Sequence, residues 1–213
     1  MPVSHELKCV FVHIPRTGGT SIETALGVFG DWRIENTQSM FGLISSPELS
    51  REIRSTAFLQ HLTGAQLCHL LPHQFQQYFR FSFVRNPWDR MVSIYSHMDT
   101  HMEESAEDAG LPLTGLSFEE FLERTENFQH VHLMPQQQFI FDDTGNCLVD
   151  FIGRFESLSS DFAVICEKLG IETTLSHQNP STHGDYRAYY NEASRKAVER
   201  RYGEDIERLR YVF

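Results

Sequence analysis

The chain has 213 residues, and its 29 Asp and Glu outnumber its 18 Lys and Arg, so that its formal net charge is −11 at pH 7. This balance argues against a general nucleic-acid-binding protein, because such proteins usually spread Lys and Arg over one face. The length fits a single domain over residues 1–213, with a substantial core and a cleft. Any site for an anion must then be locally basic.

The cysteines and the hydropathy indicate a soluble protein in a reducing environment. The four cysteines are scattered and lack the spacings of a zinc site, so we expect free thiols: Cys9, Cys68, Cys147 and Cys166. No stretch approaches about 18 apolar residues, and the first residues lack a signal-peptide pattern. We therefore expect a cytoplasmic location, no membrane contact and no metal. The oligomeric state cannot be read from the sequence.

Strand and helix patterns alternate along the chain. Residues 8–14 (KCVFVHI) and 79–84 (FRFSFV) are the strongest predicted strands, and 57–61 and 151–155 are two shorter ones. Apolar residues at helical spacing predict helices from residue 20 onward and over 88–97, 117–124, 160–169 and 191–209. Residues 99–115 and 136–138 are predicted as loops, either at the rim of a cleft or as ordinary surface connections.

The order of these elements predicts the fold class. Alternating strands and helices favour an α/β protein, specifically a three-layer, P-loop-like fold with a central, mainly parallel sheet flanked by helices. In such sheets ligands bind beyond the carboxyl ends of the strands. Two motifs lie at that edge, one after residues 8–14 and one after residues 79–84.

The first motif is a glycine loop in residues 13–21 (HIPRTGGTS). Gly18 and Gly19 permit positive φ and close approach of the backbone, so that successive N–H groups can point at one anion. The N-terminus of the following helix adds partial positive charge. Arg16 adds a full charge, and Thr17, Thr20 and Ser21 add hydroxyls. The motif predicts a phosphate-binding loop, because an unliganded turn would explain the glycines but not Arg16 and the hydroxyls.

The loop is not a Walker A motif, which requires G-x-x-x-x-G-K-[ST]. Here no lysine follows the glycines, and the cation, Arg16, precedes them. ATP chemistry is therefore disfavoured.

The second motif, residues 83–93 (FVRNPWDRMVS), follows the second strong strand and opens a helix. A guanidinium at Arg85 can hold a phosphate through two hydrogen bonds, and Ser93 can add a hydroxyl. The alternative is an ion pair between Arg85 and Asp89, with Trp88 filling the core. Taken alone, the second motif would favour that alternative.

Together the two motifs resemble those of a known enzyme family. The segment HIPRTGGTS resembles the 5'-phosphosulfate loop of sulfotransferases that use 3'-phosphoadenosine-5'-phosphosulfate (PAPS), although the family usually has Lys where this chain has Arg16. The segment FVRNPWDRMVS resembles the 3'-phosphate-binding segment of carbohydrate-type sulfotransferases. Residues 150–156 and 179–191 also look like segments of this family, so the resemblance spans nearly the whole chain.

The resemblance implies a reaction and residue roles. A sulfuryl group would pass from PAPS to a hydroxyl of an acceptor, a carbohydrate or a small metabolite, without a metal and with 3'-phosphoadenosine-5'-phosphate (PAP) as product. Arg16 would contact the bridging oxygen, and Arg85 with Ser93 would bind the 3'-phosphate. Ser181, Thr182 and Tyr186 would form a loop over the nucleotide.

His61 is the candidate base. In-line transfer needs a group that removes the acceptor's proton, and a neutral histidine suits this near pH 7. His61 ends the predicted strand at 57–61 and would reach the same edge of the sheet as the two motifs. It also resembles the family's base position better than His69 or His73 does. The alternative is a structural histidine hydrogen-bonded at a strand end.

Two other functions remain open. A P-loop kinase or other nucleotide phosphotransferase shares the order of strand, loop and helix, and fold alone does not decide function. A binding module could keep the nucleotide site without turnover. ATP binding tighter than PAP binding would favour the first, and PAP binding without any sulfated acceptor would favour the second.

Overall fold

The computed structural model describes residues 3–27, 43–44, 57–98, 100–175 and 184–213. Its main sheet has four strands in the order β1-β2-β5-β6, and a separate antiparallel pair is formed by β3 and β4. The strands are β1 (Val3–Ser4), β2 (Cys9–Val12), β3 (Leu43–Ile44), β4 (Ala57–Phe58), β5 (Phe79–Val84) and β6 (Phe151–Arg154). The predicted α/β class with a mainly parallel sheet is confirmed.

The parallel part of the main sheet places the two motifs side by side. β5 is central and pairs in parallel with β2 on one side and β6 on the other. In this register Val12 lies opposite Ser82, so that both strands end at the same edge. β1 adds an antiparallel edge strand, which the sequence analysis missed. The loop after β2 and the turn after β5 therefore adjoin each other.

The sheet is covered on both faces, because successive strand side chains point to opposite sides. Cys9 and Phe11 of β2, with Phe81 of β5, pack in one apolar cluster. Val10 and Val12 pack in the other. Runs of apolar residues without alternation are typical of parallel strands buried on both faces.

The helices form the two outer layers. They are α1 (Gly19–Ala25), α2 (Gly64–Leu70), α3 (Pro72–Gln77), α4 (Pro87–Ser96), α5 (Thr100–Asp108), α6 (Phe118–Arg124), α7 (Gln137–Ile140), α8 (Leu158–Leu169), α9 (Glu192–Arg201) and α10 (Gly203–Arg208). Residues of α8 pack with the Phe11 cluster, as do Ile22 of α1 and its C-cap residue Leu26. Residues of α2, α4, α6 and α9 belong to the opposite cluster.

The prediction of a strand over residues 57–61 in the central sheet is wrong. Only Ala57–Phe58 is extended, it pairs with β3 rather than with the main sheet, and Leu59–His61 is a 3₁₀ turn. The physical reason is visible in the side chains, because Gln60 and His61 hydrogen-bond to groups of the first motif and its helix.

Two predicted loops also contain helix. Residues 99–115 include α5, whose Met102 and Ala106 are one turn apart and fully buried. Residues 136–138 begin at a fully buried Gln136 and continue into α7. The predicted helix over residues 191–209 is instead two helices, α9 and α10, which meet at Tyr202.

Within the described residues, no helix is both long enough and apolar enough to cross a membrane.

Gly153 of β6 supplies a test of the packing between strands. A Cβ added there would lie 2.7 Å from Phe83 Cζ in the neighbouring strand, and Phe83 is fully buried. We expect Gly153→Ala to lower the free energy of unfolding by about 1–3 kcal/mol, the usual cost of overpacking a core. Chemical denaturation would measure this change. The control is Gly203→Ala, where an added Cβ meets nothing within 4 Å, and an equal loss in both variants would contradict the prediction.

Candidate functional site

The loop after β2 has its carbonyl groups bound by side chains. Four successive carbonyl oxygens, those of residues 13 to 16, each accept a hydrogen bond from a side chain. The donors are His61 Nδ1 to His13 (3.1 Å), Thr17 Oγ1 to Ile14 (2.8 Å), Arg90 Nε to Pro15 (3.0 Å) and Arg85 Nη1 to Arg16 (3.2 Å). These bonds direct the carbonyls, which would repel an anion, toward cationic and polar side chains.

The N–H groups of the same loop remain available. Within the described residues, the N–H groups of residues 17–20 donate no hydrogen bond. Arg16 and Gly18 have φ of 68° and 87°, a left-handed conformation that turns successive N–H groups toward a common point. Arg16 adopts it without being glycine, which costs roughly 1–3 kcal/mol. The predicted phosphate-binding loop therefore has the backbone geometry of an anion site.

The two glycines serve different purposes. Gly18 has positive φ, whereas Gly19 is the first residue of α1. A Cβ on Gly19 would collide with the imidazole of His13, which is buried. Gly19 is thus required by the close approach of a side chain rather than by its own dihedral angles.

The cations of the two motifs meet at this loop. Arg16 Nε donates to Ser93 Oγ over 3.2 Å, and Arg85 reaches the Arg16 carbonyl. The structure therefore brings together Arg16, Arg85 and Ser93, which the sequence analysis assigned to two phosphate groups of one ligand.

The guanidinium of Arg85 already contacts two side chains of the protein. Its Nε donates to Asp89 over 2.7 Å, and its guanidinium lies 3.9 Å from the ring centre of Phe155. Its side chain is 3% exposed. The ion pair considered as the alternative for this motif is therefore present, and a ligand phosphate would have to share Arg85 with Asp89.

Two residues that the sequence analysis did not single out hold the backbone at the end of β5. The side chain of Gln136 accepts from Arg85 N and donates to Arg85 O, both over 2.8 Å. Glu156 Oε1 accepts from Asn86 N over 2.6 Å. Neither contact has a local sequence signal, because the partners lie 51 and 70 residues apart.

Arg90 is a further residue that was missed. It is 1% exposed, and besides Pro15 it donates to the carbonyls of His132 and Met134 over 2.9 and 3.0 Å. Burial lowers the pKa of its guanidinium. Arg90 thereby fixes the turn that carries His132 against the phosphate-binding loop.

Histidines form a row beside the loop. The ring centres of His13 and His61 are 4.7 Å apart, and those of His61 and His132 are 5.6 Å apart. Burial is the main cause that holds the pKa of His61 and that of His132 well below the usual range. The electrostatic influence of neighbouring histidines lowers both further, and for His132 so does that of Arg16 and Arg90. Because a carbonyl only accepts hydrogen bonds, His61 Nδ1 must carry the proton, which leaves Nε2 as a proton acceptor.

The remaining predicted residues are Thr17, Thr20, Ser21, Tyr186, Ser181 and Thr182. Thr20, half-buried, and Ser21, buried, lie in the first turn of α1. Thr17 is fully buried and its hydroxyl is used by Ile14, so that only its N–H is left for an anion. Tyr186 lies beside the second motif, where its hydroxyl accepts from Asn86 Nδ2 over 3.3 Å. Ser181 and Thr182 lie outside the described residues.

In the part of the chain that the structure describes, His, Cys, Asp and Glu side chains do not assemble into a group of three or more that could hold a metal ion.

The protein is α/β, and the loop at the carboxyl edge of its parallel strands turns successive N–H groups toward a common point. A model of the Sulfotransferase family matches residues 1–212. The chain therefore belongs to the sulfotransferase family, which confirms the resemblance seen in the two motifs.

A protein of Archaeoglobus fulgidus described as uncharacterized is 30% identical to this chain over 116 residues. The matched part covers 53% of this chain and 86% of the archaeal one. No solved structure matches the chain.

The histidine row predicts a loss of stability in mild acid. His61 and His132 have lower pKa values folded than unfolded, where the value is about 6.5. As pH falls below about 6.5, the unfolded chain takes up protons that the folded chain does not. The free energy of unfolding should then fall by at most about 1.4 kcal/mol per pH unit for each histidine.

Urea denaturation between pH 5 and 7.5 would measure this dependence. A variant with both His61→Gln and His132→Gln should show a shallower slope than the unmodified protein. An unchanged slope would contradict the assignment of the acid sensitivity to these two groups.

Proposed function

We propose that this protein transfers a sulfuryl group from PAPS to a hydroxyl group of an acceptor. The observation that carries the proposal is that side chains bind the carbonyls of residues 13–16, while the N–H groups of residues 17–20 donate to no group among the described residues. Membership of the sulfotransferase family supports this donor, and an acceptor that bears a hydroxyl.

The residues present fit such a donor. The N–H groups of residues 17–20, the side chain of Arg16 and the hydroxyls of Thr20 and Ser21 would hold the 5'-phosphosulfate. Arg85 and Ser93 would hold the 3'-phosphate and so favour PAPS over ATP. Tyr186 contacts Asn86, next to Arg85, which supports its assignment to the nucleotide-binding residues. Ser181 and Thr182 keep the same assignment on the family resemblance alone.

PAPS supplies a sulfuryl group whose bond to the bridging oxygen of the 5'-phosphosulfate breaks as the acceptor oxygen bonds to sulfur. His61 takes the acceptor's proton on Nε2, since its Nδ1–H is committed to the His13 carbonyl. Arg16 and the loop N–H groups stabilise the negative charge that develops on the departing phosphate. The products are the sulfated acceptor, PAP and a protonated His61.

Arg16 differs from the lysine that the family usually has at this position. An arginine keeps the charge but distributes it over a planar group. Here Arg16 is also oriented by Ser93. The replacement of lysine by Arg16 therefore affects the rate of sulfuryl transfer rather than the type of reaction.

The acceptor class is proposed on the family resemblance alone. A hydroxyl of a carbohydrate or of a small metabolite fits the carbohydrate-type second motif. The loops around the cleft would decide between these acceptors.

Calorimetric titration tests the donor. We expect PAP to bind in the absence of metal and more tightly than ATP with Mg²⁺. Arg85→Ala should weaken PAP binding roughly 10- to 100-fold, because a hydrogen bond to a charged group contributes about 1.5–3 kcal/mol. Ser93→Ala removes only a hydroxyl and should weaken PAP binding less.

The matched control is Arg80→Ala on β5, the strand that Arg85 follows, where the ion pair of Arg80 with Asp150 lies at the surface. That variant should bind PAP like the unmodified protein. Tighter binding of ATP with Mg²⁺, or PAP binding that ignores both Arg85 and Ser93, would instead favour the phosphotransferase.

The base is tested by transfer of ³⁵S from labelled PAPS to a panel of desulfated glycan chains, monosaccharides and phenols. His61→Gln should lower kcat by about 10²–10⁴-fold, the usual contribution of a general base, with little change in PAP affinity. His73→Gln, at an exposed position on α3, is the control and should leave kcat unchanged. PAP binding with no sulfated product on any acceptor would favour the binding module.

A further inference from the structure

Glu23 is a buried carboxylate to which the proposed mechanism gives no role. It lies in α1, the helix that begins in the phosphate-binding loop, and it is 0% exposed. Its Oε1 lies 2.6 Å from His13 Nδ1, and its Oε2 accepts from Gln60 Nε2 over 2.8 Å. Both carboxylate oxygens are thus used by side chains from two other segments.

The carboxylate is charged. Burial acts to raise the pKa of Glu23, but the attraction of His13 and the hydrogen bonds from His13 and Gln60 leave that pKa lowered. A buried charge is costly unless it is paired and hydrogen-bonded. An apolar side chain at position 23 would avoid the buried charge but would take this partner away from His13 Nδ1 and Gln60 Nε2, which are also buried. Glu23 therefore serves to hold these two side chains together.

The two partners of Glu23 flank the candidate base. Gln60 immediately precedes His61 in the 3₁₀ turn, and the His13 carbonyl accepts the His61 Nδ1–H bond. Glu23 therefore connects α1, the end of β2 and the turn that carries His61. Through these contacts the position of His61 depends on the helix of the phosphate-binding loop.

We propose that Glu23 is a positioning residue for His61: by binding His13 and Gln60 together, it holds the His61 imidazole with Nδ1–H on the His13 carbonyl and Nε2 free to accept a proton. The catalytic part of this inference rests on the proposed function of His61. The positional part concerns the ring alone and can be tested without an acceptor.

The loss of Glu23 has a specific consequence for the ring. Without the carboxylate, the side chains of His13 and Gln60 lose their common partner. The His13 carbonyl and the turn that carries His61 are then no longer held in register, and the bond between His61 Nδ1 and that carbonyl is weakened. A weaker bond to this carbonyl favours the Nδ1–H tautomer less, so the form with the proton on Nε2 becomes more populated. That tautomer cannot accept the acceptor's proton on Nε2.

The first experiment reads the tautomer of His61 by long-range ¹H–¹⁵N NMR on protein labelled with ¹⁵N-histidine, with the His61 signals assigned from the spectrum of His61→Gln. The unmodified protein should show His61 with its proton on Nδ1. Glu23→Gln, and Gln60→Leu, which leaves the pair of Glu23 and His13 in place, should both shift the population toward the Nε2–H form.

The matched control is Gln137→Leu, which removes another Gln–Glu side-chain hydrogen bond, that of Gln137 with Glu204 (2.7 Å), at the surface. It should leave the His61 signals unchanged. The proposal would be overturned if His61 carried its proton on Nδ1 in all variants, or if it carried its proton on Nε2 in the unmodified protein. If Glu23→Gln does not fold, Gln60→Leu decides the question alone.

The second experiment is a double-mutant cycle on the release of ³⁵S-sulfate from labelled PAPS, with water as the acceptor. Glu23→Gln should lower this rate at least tenfold while PAP affinity stays within about twofold. In the His61→Gln background the same change should have little further effect, because Glu23 acts through His61. Additive losses would assign Glu23 a merely structural role.

The two experiments separate failure of the inference from failure of the proposed function. If PAP does not bind to the unmodified protein, or if His61→Gln leaves the hydrolysis rate unchanged, the proposed function fails. The tautomer comparison, made on the protein without nucleotide, still decides whether Glu23 positions the ring.

Discussion

The capture of four successive carbonyl groups by side chains is the interaction on which the site depends. A loop that follows a parallel strand carries C=O groups as well as N–H groups, and an anion can approach only if the carbonyls are turned away and satisfied elsewhere. Thr17 is the one donor of the four that lies within the loop itself. Arg85 and Arg90 come from the second motif, and His61 comes from the turn before α2. The shape of the phosphate-binding loop is therefore set largely from outside it.

This dependence makes the two motifs one structural unit. Arg85 and Arg90 are buried cations, and each is acceptable only because carbonyls, or the carboxylate of Asp89, satisfy its N–H groups. The loop needs the arginines to orient its carbonyls, and the arginines need the loop to satisfy their donors. A change in either motif should consequently alter the geometry of the other.

The parts of the site that could be predicted from the sequence are those with local signals. Residues 79–84 form a strand with the predicted bounds, because an apolar run closed by Asn-Pro is a local pattern. The glycine loop of residues 13–21 was also predicted from a local pattern, and its role in binding phosphate stays a prediction. Gln136 and Glu23 could not be assigned, since their roles arise from partners 51 and 37 residues away. The strand predicted over residues 57–61 failed because its polar end hydrogen-bonds to the loop and to α1 instead of to a sheet.

The low pKa of His61 affects how readily this histidine can accept a proton. Burial and the repulsion from His13 and His132 disfavour the imidazolium, so that the ring is neutral near pH 7 but is a weak base. An anion held by the loop beside His61 would raise the pKa of this histidine, because negative charge favours the protonated form. We therefore expect the proton affinity of His61 to rise when a nucleotide occupies the loop. Under the proposed function, His61 would thus be a stronger base when the nucleotide is bound, and it would stay neutral, with Nε2 unprotonated, before the nucleotide binds.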